Sequence, residues 1–390
     1  MSKEDIFIDN ETPFQYHQNA MTTPHMPENL PLTHLDMSLH VKELGVANRE
    51  LARYDGIIET LPNPDLLLSP FMAQEAVLSS RIEGTQASLD EVYEKDAGIT
   101  FGDARQEDIQ EINNYRKALS HAAWSLQDRP LTLMLLREIH EILLNGVRGS
   151  SRTPGYFRTI QNWIGTKNST LETATYIPPS PAYVDMLMEN WLRYVVDYED
   201  VDPLIQSAVM HAQLEMIHPF LDGNGRMGRL LIPLFLYKRG VIHLPIFYMS
   251  AYLESNREEY CNNLNRITGE GDWASWIRFF LNGVAQQARE NTTRARATLK
   301  LYDELKTEIR EATHSEYTML VLDMLFRMPT YSIPHMINRI RDNAPDCNIT
   351  TLRNILKRIA DADIVECYRK GAGRRPDIYR LSRLMDIVQG

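Results

Sequence analysis

The stretch HPFLDGNGRMGR, residues 218 to 229, lies between two helical segments, PLIQSAVMHAQLEMI and RMGRLLIPLFLYKRG. The second of these is so apolar that it must sit centrally in whatever the chain builds. The fold therefore has to accommodate a histidine, an acid, an asparagine, two arginines and three glycines at its middle. The stretch is too rich in glycine for a helix interior and too charged for an ordinary core loop. A chain with this constraint has to wrap helices around a polar turn.

Helical spacing runs through most of the remaining sequence, so a mainly α fold is expected. A length of 390 residues favours two or three domains. Residues 1–30 are polar and dotted with proline, as in a poorly ordered arm. Residues 31–105 form an N-terminal helical region. Its apolar positions keep helical spacing from Leu35 to Leu61, LPNPDLLLSP breaks the run, and a helix is predicted over 71–82 with Gly84 at its C-terminal end. A core follows over 106–290. Within it, SSRTPGYFRTIQNWIGTKNSTLETATYIPPSPAYV loses helical spacing and reads as a long loop with a short hairpin; loops of this length are usually functional. Residues 291–316 are charged and helical, a connecting helix. Residues 317–390 give three short helices and then two strand-like stretches around KGAGRRP, the order of a winged helix-turn-helix.

Composition narrows the setting. Hydrophobic residues at 43% and charged residues at 24% fit a soluble globular protein. The acidic, polar N-terminus does not read as a secretory signal, and the longest apolar runs, such as LLIPLFLY, are too short to cross a bilayer, so no membrane partner is expected. Cys261, Cys347 and Cys367 lack metal-type spacing and read as reduced thiols of a cytoplasmic protein. A net charge of −11 disfavours non-specific binding of the whole chain to nucleic acid.

The central turn has its own chemistry. GNG directly before an apolar helix points backbone amides to the positive end of a helix dipole, an anion site that suits phosphate. Arg226 and Arg229 share a helix face and reach one polyphosphate together. Asp222 offers a hard oxygen of the kind that holds Mg²⁺ beside phosphates. A neutral His218 can take a proton from an attacking hydroxyl. These are the parts of a nucleotidyl or phosphoryl transfer site. Plainer alternatives are a structural histidine with a simple turn, and a metal site built from His211, His218 and Asp222, though neither needs two arginines. No GxxxxGK[ST] sequence is present, so this is not an ordinary P-loop.

The segment resembles the signature of the Fic (filamentation induced by cAMP) family, HPFx[D/E]GNGRxxR, at every specified position. The resemblance implies a mainly α-helical core that transfers AMP from Mg-ATP to a protein hydroxyl. By position it implies His218 as general base, Asp222 as Mg²⁺ ligand, and Gly223, Asn224 and Gly225 as the anion nest. Arg226 would then neutralise the phosphates and Arg229 would hold the γ-phosphate.

Upstream, SSRIEG over residues 79–84 fits the family's inhibitory pattern [S/T]xxxE[G/N] through Ser79, Glu83 and Gly84. A carboxylate one turn from Ser79 can pair with an arginine, and Glu83 on Arg229 would leave ATP only an unproductive pose. TATYIPPSP falls where the family has its target-docking flap, with Tyr176, Ile177 and Pro178 as candidates for backbone pairing with a target. Tyr260 is the candidate on the adenine side, where many members carry two adjacent tyrosines and this chain has Tyr260-Cys261. The expected partners are a protein with a Ser, Thr or Tyr hydroxyl, the chain itself as a self-modification target, and a homodimer mate. The alternatives are removal of AMP, with Glu83 orienting a water, and a transcription regulator that binds DNA through the C-terminal module. In the latter, ITTLRNILKRIA would be the recognition helix, with Arg369, Lys370, Arg374 and Arg375 on the wing.

Overall fold

The computed structural model describes residues 23–165, 168–373 and 375–390. Most of the arm expected over residues 1–30 lies outside the described residues, as does Arg374. The α-helices begin with α1 (Val41–Thr60), α2 (Pro64–Leu67), α3 (Ser69–Ile82), α4 (Leu89–Asp96), α5 (Asp103–Asp128) and α6 (Leu133–Leu143). After a long irregular segment come α7 (Val184–Asp197), α8 (Pro203–Ile217), α9 (Asn224–Lys238), α10 (Ser250–Ser255), α11 (Arg257–Glu270) and α12 (Trp273–Thr313). The chain closes with α13 (Thr318–Arg327), β1 (Thr330–Ser332), α14 (Ile333–Asn343), α15 (Ile349–Asp361), β2 (Glu366–Arg369), β3 (Ile378–Arg380) and α16 (Ser382–Gln389). The fold is mainly α, as expected.

Two compact units form, and neither is continuous in sequence. The first takes the chain up to Asp55, Leu78–Gln86 and Gln110–Arg289; the second takes Gly56–Val77, Ala87–Ile109 and Glu290–Gly390. The region expected as one piece over 31–105 is thus divided between them. The helix expected over 291–316 is the second half of α12. Charge rises at residue 291, but neither glycine nor proline interrupts residues 284 to 313, so the helix continues.

In the first unit, α8 and α9 are the central pair. Asp202 starts α8 by accepting from the Leu204 N–H at 2.8 Å, with Pro203 at the first helical position. All but two of the fifteen residues of α8 are buried, so this helix has no solvent face. Trp191 of α7 and Trp276 of α12 donate their indole N–H groups to the α8 carbonyls of Met210 and Ala208, each at 2.9 Å. The expected hairpin reduces to one antiparallel bridge between Ile164 and Tyr176. Pro178 and Pro179 follow at once and have no N–H with which to extend a ladder.

In the second unit, β1, β3 and β2 form an antiparallel sheet in that order. Thr330 pairs with Arg380, and Glu366 pairs with Arg380 from the other side. Asn348 caps α15 by accepting from the Thr350 and Thr351 N–H groups, and Leu352, Ile355, Leu356 and Ile359 form its buried stripe. Strand β1 and helix α16 were not anticipated. Arg369 contacts both carboxylate oxygens of Glu94 at 3.0 and 2.9 Å, Arg380 lies 3.3 Å from Asp90, and Lys370 lies 3.6 Å from Asp377. Among the described residues, no helix is long and apolar enough to cross a membrane.

Candidate active site

The site lies wholly within the first unit, at the turn between α8 and α9. His218 ends α8 in the left-handed region, at φ 49° and ψ 59°. Its Nδ1 lies 3.2 Å from the Glu215 carbonyl, which can only accept, so Nδ1 carries the proton and Nε2 keeps its lone pair. Burial is the main cause that brings the imidazole pKa down to about 4; the Arg158 cation also lowers it, against the Glu215 carbonyl hydrogen bond and the Glu83 and Asp222 charges, which raise it. His218 is therefore neutral at physiological pH, and it lines a pocket.

Gly223 caps α9. The amides of residues 224–226 precede the first helical bond, from Met227 N to Gly223 O at 3.0 Å, and so lie at the open positive end of the helix. The Asn224 side chain is held in a reciprocal pair with the backbone of Phe220, at 2.9 Å in each direction. What Asn224 adds to the anion nest is thus its backbone. Gly225 is needed for close approach: a Cβ there would collide with Glu83 Oε1 and lie 2.8 Å from Arg229 Nη1.

Arg229 is buried, and two of its three guanidinium nitrogens, Nε and Nη2, are held by hydrogen bonds. Nε donates to Ser79 Oγ at 2.9 Å, while Nη2 donates to the Ser79 carbonyl at 2.9 Å and to Glu83 Oε1 at 2.7 Å. Burial is the largest influence and would lower the arginine pKa, but the Glu83, Tyr260 and Glu215 charges and the Glu83 hydrogen bond together outweigh it, and the net shift is upward. Likewise, burial would raise Glu83 most, but Arg229, with smaller help from Arg226 and Arg257, holds it below its ordinary value. Glu83 is carried on the turn that ends α3, with Gly84 at φ 98° closing it. Ser79, Glu83 and Arg229 are brought together as the sequence pattern suggested.

Asp222 lines the pocket with a side chain that is 28% exposed. Arg226, by contrast, does not line it. Its Nη2 is 3.2 Å from Asp222 Oδ1 and its Nη1 is 3.6 Å from Glu111 Oε2. Glu111 in turn accepts from Thr85 Oγ at 2.7 Å. The arginine expected on phosphate thus sits behind the acid, paired with two carboxylates. Among the described residues no group of three or more His, Cys, Asp or Glu side chains could hold a metal. One carboxylate facing an anion nest instead fits Mg²⁺ that arrives with phosphate oxygens and its own waters.

Tyr176 and Tyr260 line the same pocket, together with Ile82, Glu215, Arg257 and Cys261. The Tyr260 hydroxyl is 2.9 Å from His211 Nε2. Tyr176 gives its hydroxyl to the Met216 carbonyl at 2.7 Å. Ile177 and Pro178 are buried and do not line the pocket. The Ile177 carbonyl accepts the His25 N–H at 2.8 Å, and the His25 ring stands 5.8 Å from the Tyr176 ring. The chain's own N-terminal segment therefore uses part of the expected docking edge.

Several supporting residues escaped the sequence reading. His140 of α6 is fully buried. Its Nδ1 accepts from the Gly155 N–H at 2.9 Å, so its Nε2 donates to the Asp222 carbonyl at 2.9 Å, and its ring stacks on Phe220 at 3.7 Å. Glu215 lines the pocket with a buried Oε1 that has no hydrogen-bond partner among the described residues, and burial raises its pKa to about 7. Asn162 and Arg158 hold the turn from the loop before the flap. A signal that could have found Arg158 is an arginine amid aromatic and apolar neighbours in TPGYFRTIQNWIG.

This is a mainly helical protein with a pocket at a helix N-terminus, a neutral buried histidine and a buried arginine held by a carboxylate. Residues 41–124 match the Fic/DOC family N-terminal model and residues 130–236 match the Fic/DOC family model. The chain thus carries a Fic/DOC family N-terminal region followed by a Fic/DOC family region. A "probable protein adenylyltransferase" of Aquifex aeolicus (strain VF5) is 29% identical over 206 residues, covering 50% of this chain and 58% of that protein. The protein adenylyltransferase Fic of Culex quinquefasciatus is 32% identical over 152 residues, covering 38% of this chain and 27% of its own length. The chain thus spans little more than half of the first relative and about a quarter of the second. In fold, it is similar to a Fic family protein from Desulfovibrio desulfuricans G20, with a TM-score of 0.58 and 20% identity over 89% of this chain and 97% of that one. A Fic domain-containing signalling protein from Bacteroides thetaiotaomicron gives a TM-score of 0.52 and 21% identity, covering 65% of this chain and 97% of that one.

Proposed function

We propose that this chain transfers AMP from Mg-ATP to a Ser, Thr or Tyr hydroxyl of a protein target, and that Glu83 restrains the reaction by occupying Arg229. The observation that carries this is the shared pocket. His218 presents an unprotonated Nε2 to it, the α9 amides open into it, and the buried Arg229 is held there by Glu83 at 2.7 Å. The target hydroxyl gives its proton to His218 Nε2 as its oxygen bonds to the α-phosphorus. The bond from the α-phosphorus to the bridging oxygen of the β-phosphate breaks, and pyrophosphate leaves. Residues 223–225 hold the departing phosphates with their amides, and Asp222 is the residue that would hold Mg²⁺, which supplies charge neutralisation when bound.

In the present arrangement the γ-phosphate would meet the Glu83 carboxylate instead of a free guanidinium. Withdrawal of Glu83 is therefore a precondition for the productive pose. The DNA-binding alternative draws less support. If the C-terminal module is a winged helix, Arg369 and Lys370 of its wing are already paired with Glu94 and Asp377. The test is exposure of a cell lysate to Glu83→Gly protein and Mg-ATP, followed by mass spectrometry. Adenylylated Ser, Thr or Tyr peptides are expected, and their absence from treated samples alongside an active control transferase would refute the proposal.

A further inference from the structure

The C-terminal end of α8 leaves a row of carbonyls that the helix cannot satisfy itself, and each one has a partner. Leu214 O accepts the His218 N–H at 2.9 Å, and Met216 O accepts the Tyr176 hydroxyl at 2.7 Å. Phe220 O accepts from Asn162 at 3.0 Å and from Asn224 at 2.9 Å. The three carbonyls between belong to one residue. Arg158 Nη2 donates to Ile217 O at 3.3 Å, its Nε donates to His218 O at 2.9 Å, and its backbone N–H donates to Pro219 O at 2.8 Å. The same guanidinium also donates to Pro179 O, one residue past the candidate docking stretch, and reaches Ile160 O at 3.5 Å.

We propose that Arg158 is the positioning residue of the reaction, holding His218 in its left-handed backbone and tying that turn to the flap through one buried guanidinium. This rests on His218 being the base. A non-glycine residue at φ 49° is held in a sparsely occupied region and persists only where its surroundings over-determine it. Arg158 does so by clamping the carbonyls on both sides of the turn. Its hydrogen-bond acceptors are all backbone carbonyls, and the arginine is 2% exposed. A neutral donor would satisfy one or two of these. Only a planar fork with five N–H groups bridges carbonyls from three separate segments. The charge is stabilised by the negative end of the α8 dipole, and although burial lowers the Arg158 pKa to about 10, the group stays protonated at neutral pH.

Two consequences separate this role from simple packing. The charged groups that face His218 are Arg158, which opposes its protonation, and Glu83 and Asp222, which favour it. Removing the Arg158 charge therefore makes His218 easier to protonate. Removing only the fork geometry leaves that balance intact but frees the turn.

The test uses the full chain carrying Glu83→Gly, with Arg158→Lys and Arg158→Met added separately. Arg158→Lys is expected to keep the acid limb of the pH–rate profile and the KM for ATP while kcat falls about tenfold or more. Arg158→Met is expected to lose kcat and to move the acid limb up by about one pH unit. NMR of ¹⁵N-labelled histidine reads the tautomer and titration of His218 without any activity; there Arg158→Met raises the His218 pKa and Arg158→Lys does not. If Arg158→Met fails to fold, Arg158→Lys alone decides. Full kcat in Arg158→Lys, or an unmoved His218 titration in Arg158→Met, overturns the proposal. Loss of the base reading would show separately, as a His218→Ala protein that keeps its activity.

Discussion

Replacing Glu83 with glycine frees Arg229, and the size of the effect follows from the contact. Glu83 Oε1 lies 2.7 Å from Arg229 Nη2, with the glutamate side chain 22% exposed and the arginine 1% exposed. A unit charge pair at about 4 Å is worth roughly 4 kcal/mol at the effective dielectric of a protein site. Partial exposure of Glu83 brings this to about 2–3 kcal/mol, and at about 1.4 kcal/mol per tenfold the open state gains about 30- to 150-fold in population. If the Glu83-bound form is unproductive, the initial rate of AMP incorporation at saturating Mg-ATP rises by that factor in Glu83→Gly. The same change leaves a buried guanidinium with Ser79 as its hydrogen-bond partner among the described residues, so the nucleotide-free variant melts below the parent and recovers when Mg-ATP is added. A rate within threefold of the parent, from a preparation whose activity still requires His218, would refute the reasoning.

Four further outcomes are expected. Ser79→Ala loses the 2.9 Å bond from Arg229 Nε but keeps the one to the Ser79 carbonyl, so activation is about fivefold, well short of Glu83→Gly in the same incorporation assay. His25→Pro removes the N–H that the Ile177 carbonyl accepts; steady-state kinetics should show a lower KM for the protein target and an unchanged KM for ATP. For pH, the folded chain keeps His140, His211 and His218 neutral, with pKa values lowered to about 4, 3 and 4, while the unfolded chain protonates them below about 6.5. Stability conferred by these groups is thus lost as pH falls from 7 towards 5, whereas Glu215, raised to about 7, loses its contribution as pH rises through that window. Melting should drop between pH 7 and pH 5, and Glu215→Gln should steepen the drop. Finally, this chain should show no salt-dependent gel shift with duplex DNA, because Arg369 and Arg380 are paired with Glu94 and Asp90.

What the sequence made legible was local. The turn, its two apolar helices and the single helical turn between Ser79 and Glu83 are set by spacing within a few residues, and the structure brings them together. The flank of the site was not legible, because it depends on distant pairing. Arg158 and His218 are separated by 60 residues, and His140 and Asp222 by 82. Neither pair leaves a periodic mark, and an isolated histidine in an amphipathic helix looks the same whether it fills a core or orients an acid. Arg226 shows the opposite limit: its spacing placed it with Arg229, but Glu111 and Asp222 draw its guanidinium behind the pocket. The loss of helical spacing marked residues 150–184 as irregular, yet Pro178 and Pro179 there stop the expected hairpin from extending beyond one bridge.

The central claim is that His218 directs a hydroxyl to the α-phosphorus of ATP. Glu83→Gly protein should therefore be incubated with ATP labelled at the α or at the γ position, in parallel with Glu83→Gly/His218→Ala. The account predicts protein-bound label from the α position alone, abolished by loss of His218. Label from the γ position, or α label that survives without His218, would contradict it.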